Sequence, residues 1–245
     1  MINDEHKFIA GAGGGGKSGS SSGHTATEDP DTLQSRAMVS VLDLIGEGQI
    51  GGLADGAKSV FLGDLPLMNS DATYNFKGVS WEMRNGTQDQ TPIKGFNGVE
   101  TPYNANTQIK NTSPFTFAIS NPNADQVRCI ITLPALTSTD TKTGDTHGAQ
   151  VQYKFQISNN GGSFVDIAPI GESTIITLKG KKNGKYQRAH LFNLPKPGSN
   201  YQMKVIRLTA DNTSTYLQND TYLDSYYEIV DAKLSYPNSV LFGIS

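Results

Sequence analysis

QVQYKFQIS, residues 150–158, alternates Val151, Tyr153, Phe155 and Ile157 with glutamine, lysine and serine. A period of two places those four side chains on one face of a strand, which marks a half-buried β-strand and excludes an amphipathic helix. Asn159 to Gly162 supplies a turn, and FVDIA, STIITLKG, KYQRAHLFNL and YQMKVIRLTA follow at hairpin spacing. The reading is a small antiparallel β-sandwich over residues 145–212. Working upstream, QVRCIITL (Gln126–Leu133) and Thr116–Ile119 are two further strands, separated by an Asn121-Pro122-Asn123 turn. Cys129 is the one cysteine, so an intramolecular disulfide is excluded, and its place in a strand makes it a small buried apolar residue. Between these runs, TSTDTKTGDTHG (137–148) gathers Asp140, Asp145 and His147 at a spacing that fails the calcium-loop pattern. A solvated loop is expected there.

Further upstream, AMVSVLDLIGEGQIGGLADGAKSVFLGDLPLM (Ala37–Met68) sets two apolar runs around a glycine-punctuated turn. It reads as strand, turn, strand, as in a β-hairpin or crossover of any all-β domain. Gly46, Gly48 and Gly56 are the candidates for backbone geometry that other residues resist. Tyr74–Arg84 reads as a half-buried strand with a bulge at Gly78 and with Trp81 in the core. Thr87–Gln108 is polar, carries two prolines and lacks periodicity, which predicts a long loop that either lies across a partner subunit or stands as a solvated Ω-loop. At the other end, Thr221–Ser245 returns to the style of the opening run and is expected to pair with it. Its last apolar stretch, Val240–Ile244, looks like a strand cut short, with its ladder unpartnered.

Residues 1–36 are dominated by GAGGGGKSGSSSGHTATEDP, too poor in apolar surface to offset the entropy of ordering, and a disordered Gly/Ser-rich arm is expected. Gly11–Ser18 fits the phosphate-binding pattern G-x-x-x-x-G-K-[ST], and Gly19, Ser21 and Gly23 fit the hydrolase pattern G-x-S-x-G. Neither has the strand before it and the helix after it that the chemistry requires, so no catalytic residue, metal or cofactor is assigned. The net charge of −3 argues against nucleic-acid specificity. No run of apolar residues is long enough for a membrane span, and the N-terminus is unlike a secretory signal, so synthesis in the cytoplasm is expected. With 36% hydrophobic residues and 26 glycines, the chain is lean for a self-sufficient domain and suits a β protein completed by its neighbours.

Leu194-Pro195-Lys196-Pro197-Gly198, followed by Tyr201, Met203 and Val205, resembles the tyrosine corner of fibronectin type III and immunoglobulin-like domains. A second resemblance spans most of the chain. Ser40-Val41-Leu42-Asp43, Gly46-Glu47-Gly48, Asp55-Gly56-x-Lys58-Ser59-Val60, GVSWEMRNGTQDQTPIKGF (Gly78–Phe96) and LQNDTYLDSYYEIVDAKLSYPNSVLFGI (Leu217–Ile244) are similar to the opening of the tip attachment protein J family of lambda-like siphophage tails. That resemblance implies a mainly β fold: a hub-type antiparallel sheet domain from 37–133 with 215–245, C-terminally truncated, into which the sandwich is inserted. It implies a structural, non-enzymatic component of the virion tail tip, a homotrimeric baseplate hub that anchors the host-recognition fibre, contacts other phage tail-tip proteins, and meets a host outer-membrane receptor only through a C-terminal part absent here. Tyr226, Tyr227 and Tyr236 are then candidate interface aromatics, and Trp81 and Tyr201 packing residues. The competing reading is a free adhesin-like module whose loops at Asp140–His147 and Asn159–Gly162 touch a cell-surface ligand.

Overall fold

The computed structural model describes residues 24–35 and 39–245, apart from 94, 97, 197 and 232. In chain order the strands are β1 (Val41–Glu47), β2 (Phe61–Leu62), β3 (Leu65–Pro66), β4 (Trp81–Asn85), β5 (Gly98–Gln108), β6 (Phe115–Ala118), β7 (Gln126–Leu133), β8 (Thr137–Thr139) and β9 (Thr146–His147). They continue as β10 (Ala149–Ser158), β11 (Val165–Ile167), β12 (Ile175–Gly180), β13 (Tyr186–Asn193), β14 (Gln202–Arg207), β15 (Leu217–Gln218), β16 (Tyr222–Asp231) and β17 (Ser239–Ile244). Apart from a 3-10 turn at Gly56–Ser59, the described residues hold no helix. The fold is mainly β and its strand pairs are antiparallel.

Two sheets make the sandwich. One orders β11, β10, β14 and β6, with β12 also on β10; the other orders β13, β7, β16 and β5. Val151, Tyr153, Phe155 and Ile157 of β10 face inward together with Met203 and Val205 of β14, and all six are 3% exposed or less. Opposite them lie Val127, Cys129, Ile131 and Leu133 of β7, each fully buried. Burying one such branched or aromatic side chain is worth about 1.5–3 kcal/mol, so these two faces supply the main driving force. Ring pairs cross the gap, Phe155–Phe192 at 4.7 Å and Phe117–Tyr226 at 4.2 Å between centroids. Tyr201 Oη donates to the Pro195 carbonyl, which is the tyrosine corner read from the sequence.

The sandwich is wider than 145–212. β7 and β16, expected in the hub part, pair with each other and with β13 and β5 over their full lengths. The apolar face of β10 and β14 needs a second sheet to cover it, and that sheet is built from chain on both sides of the segment, so the unit runs from about Gly98 to Asp231. Thr87–Gln108 also differs from expectation. Its second half is the eleven-residue strand β5, an edge strand of that sheet. Its polar, proline-bearing sequence hides the strand because an edge position tolerates Pro102 opposite Tyr227 and exposes most of its side chains.

Residues 39–93 and 239–245, outside the sandwich, make a smaller unit with the sheets β1–β17–β4 and β2–β3. β1 does not fold back on β2 as a hairpin; β2 pairs with β3, and β1 pairs with β17, Val41 opposite Ile244 and Glu47 opposite Ser239. β17 is central, with β4 on its other side, so the terminal strand expected to be unpartnered has a ladder on both edges. Val240, Leu241 and Phe242 are buried accordingly.

Candidate functional site

The residues singled out in the sequence fall into two groups. Gly46 sits where the β1–β17 register shifts, and Gly48 and Gly56 have φ of +84° and +55°, the left-handed region that glycine enters without strain. Trp81 is half-buried and stacks on Phe242, with ring centroids 5.7 Å apart, across the β4–β17 pair. Those four belong to the small unit. Tyr201 and Tyr226 belong to the sandwich, the latter half-buried between Tyr103 at 5.0 Å and Phe117 at 4.2 Å. Tyr227, on the other face of β16, carries the Arg128 guanidinium 4.6 Å above its ring, and Arg128 also pairs with Glu100. Tyr236 is exposed, and its carbonyl accepts from Gln90 Nε2 at 2.6 Å. The eight residues do not converge on one place. The Gly11–Ser18 and Gly19–Gly23 patterns lie outside the described residues.

What the small unit does present is apolar surface. Val39, Leu44, Ile45 and Phe61 are 71, 62, 59 and 58% exposed, and Val41, Ile50, Leu62, Leu65, Leu234 and Tyr236 are exposed as well. Leu44 and Ile45 are neighbours in β1 at the bulge that shifts the β1–β17 register before Gly46, and both side chains are left in solvent. Among the described residues β1 also has a partner on one edge only. A strand with a free ladder and bare apolar side chains is the geometry that other chains add to. Sequence patterning identified the strand but not this exposure, because the same alternation-free apolar run fits a strand buried on both faces.

Buried polar groups, by contrast, are satisfied within the chain. Glu228 is fully buried in β16; its carboxylate accepts from the backbone N–H groups of Ser120 at 2.7 Å and Asn121 at 2.8 Å, and from Ser120 Oγ at 3.0 Å. Arg207, 2% exposed, donates to the Asn219 carbonyl and to Thr221 Oγ1, both at 2.6 Å, and burial lowers its pKa. His190 lies between Tyr153 Oη at 2.7 Å and Glu172 Oε1 at 2.8 Å, and Arg188 pairs with the other oxygen of Glu172 at 2.6 Å. This chain of contacts looks like a relay, yet its histidine is sealed from solvent, and burial holds the imidazole below its ordinary pKa. Burial likewise pushes the Cys129 thiol up and makes it inert. Among the described residues no cluster of three or more histidine, cysteine or carboxylate groups could hold a metal.

The family model for the FNIII-A domain of tip attachment protein J matches residues 99–232, the extent of the sandwich drawn by the strand pairings. The chain belongs to the tip attachment protein J family. It is 35% identical over 237 residues to the tip attachment protein J of Escherichia phage SECphi4, covering 95% of this chain and 20% of that protein. To the tip attachment protein J of Escherichia phage SECphi27 it is 31% identical over 223 residues, covering 91% of this chain and 18% of that protein. This J-family chain therefore spans about a fifth of the length of the curated relatives it matches. Both alignments extend beyond the sandwich, so the small unit belongs to the shared region too.

Proposed function

We propose that this chain is the hub portion of a siphophage tail tip, a structural, non-enzymatic virion component that closes the distal end of the tail tube and anchors the host-recognition fibre. The observation that supports the reading is the bare apolar strand β1, on a chain whose relatives are named tip attachment protein J. Covering Val39, Leu44, Ile45 and Phe61 against neighbouring copies or other tail-tip proteins would return about 1.5–3 kcal/mol for each side chain fully buried. Closed cyclic symmetry around the tail axis is the economical way to cover one such edge on every copy, and a homotrimer is the stoichiometry we assign. Receptor contact belongs to more C-terminal sequence of the full protein. The adhesin reading is weakened by the Asp140–His147 loop, which is occupied by the chain's own residues 24–29.

Gold-labelled antibody raised against residues 39–245, imaged on intact tails, tests the proposal. Label in a ring where tube meets tip is expected. Label at a fibre end, or on no virion, overturns it.

A further inference from the structure

Residues 24–35 lie extended along the rim of the sandwich, against β9, the end of β12 and the turn that follows it. Their backbone is read as a strand would be. Thr146 donates to the Thr27 carbonyl at 2.8 Å and accepts from the Asp29 N–H at 2.9 Å, while the Lys181 carbonyl accepts from Thr32 and Leu33 at 3.0 and 3.1 Å. Their side chains are read as well. Asp145 Oδ1 accepts from Thr27 N at 2.7 Å and Thr27 Oγ1 at 2.8 Å, and pairs with His24 Nε2 at 2.8 Å. Lys181, its side chain 2% exposed, reaches Glu28 at 2.6 Å and Asp31 at 3.4 Å; Lys182 meets Asp31 at 3.0 Å and His147 meets Asp29 at 3.0 Å. Leu33 packs on the core of the sandwich. The absence of a side chain at Gly180 makes the approach possible, since a Cβ there would stand 2.6 Å from Thr32 Oγ1 and 2.9 Å from Leu33 Cγ.

We infer that this rim is a peptide-recognition groove for an extended acidic segment, and that residues 24–35 occupy it as an intramolecular ligand. The two sheets of the sandwich are complete without the segment, because their main strands pair with one another and the segment adds one isolated parallel bridge, Glu28 to Thr146. Recognition rests instead on complementary charge: Glu28, Asp29 and Asp31 on the segment against Lys181, Lys182 and His147 on the rim. Backbone addition gives such a site its grip and the side-chain partners give it selectivity. The groove would accept the same segment from another chain. The inference stands apart from the tail-tip proposal, since it needs only this chain.

The test uses the full chain with a protease site placed at the 36–38 junction, cleaved after folding and run on a sizing column. At about 0.1 M salt the N-terminal fragment is expected to co-elute with the body, and at about 1 M salt, where screening is within a few ångströms, to leave it. A labelled peptide of residues 24–35 should exchange into the groove, whereas the peptide carrying Glu28→Lys and Asp31→Lys should bind about tenfold or more weakly, a change that leaves the body untouched. Lys181→Glu should reproduce that loss, with circular dichroism checking the fold. Departure of the fragment at low salt from a folded body, or equal binding of the charge-reversed peptide, overturns the inference.

Discussion

Glu228 brings a charge into a fully buried position, and nothing around it in the sequence marks it as different from an exposed strand glutamate. Its partners, the N–H groups of Ser120 and Asn121, lie more than a hundred residues away. Glu228→Ala takes the acceptor from both donors and should cost about 1–3 kcal/mol, whereas Glu228→Gln keeps an acceptor and should cost less than half of that; chemical denaturation of the two variants checks the ratio. Tyr201 was legible, because its hydrogen bond is local to the corner motif, and Tyr201→Phe should lose about 1–2 kcal/mol by the same measurement. His190 gives a pH dependence. Burial, the dominant cause, lowers its folded pKa below the unfolded value near 6.5 despite the pull of Glu172, so the unfolded chain takes up the proton first. Stability should therefore fall as the pH drops from about 7 through the folded pKa, and melting scans should show that decline shrinking in His190→Gln.

At the scale of the element, pairing partners were harder to read than strands. β10 announces itself by strict alternation and β7 by its run of apolar residues, while β5 is masked by its exposed edge position. β1 pairs with the closing run, Val41 opposite Ile244, as the shared style of the two ends implies, whereas the second strand expected beside it, β2, turns back on β3 instead. Gly86, at φ +85°, crosses so close to the Gly48 carbonyl that a Cβ would overlap it, so Gly86→Ala should destabilise the β1–β17–β4 sheet selectively; hydrogen exchange should quicken in 239–244 and stay unchanged in 149–158. The strap at 24–35 titrates from both sides. Hydrogen bonds from Lys181, Lys182 and the Thr27 N–H lower the pKa of Glu28, Asp31 and Asp145 respectively, so their contribution is full above about pH 4 and is lost as the pH falls through the lowered values. The hydrogen bond to Asp29 raises His147, whose contribution is full below about pH 6.5 and is lost as the pH rises through its folded value. Docking should be tightest between those limits, read as anisotropy of a dye on Thr25→Cys.

Over the whole molecule, the core cluster of buried apolar residues runs from Ile109 to Leu223 and lies within the sandwich. The small unit has β17 for its core and much of its remaining apolar surface in water. Alone, the chain should open in that unit first, with exchange protection in 98–231 exceeding that in 39–93 and 239–245. Assembly should raise protection there, and Leu44→Asp with Ile45→Asp should weaken association measured by sedimentation while leaving the melting of the sandwich unchanged.

By itself the sequence determined the all-β class, the strands of the sandwich centre, the tyrosine corner and the family, because each of these is written in neighbouring residues: a period of two, a proline-glycine turn, an ordered motif. The pairing of the opening and closing runs could be read from their shared style, but tertiary structure alone decided that the sandwich takes β5, β7 and β16 from outside 145–212, and that the acidic stretch at 24–35 is held by Lys181 and Asp145. Those outcomes depend on contacts between residues dozens to more than a hundred positions apart. A side chain's local pattern states what it can bury or pair with, and only the closed fold brings the partner that does so.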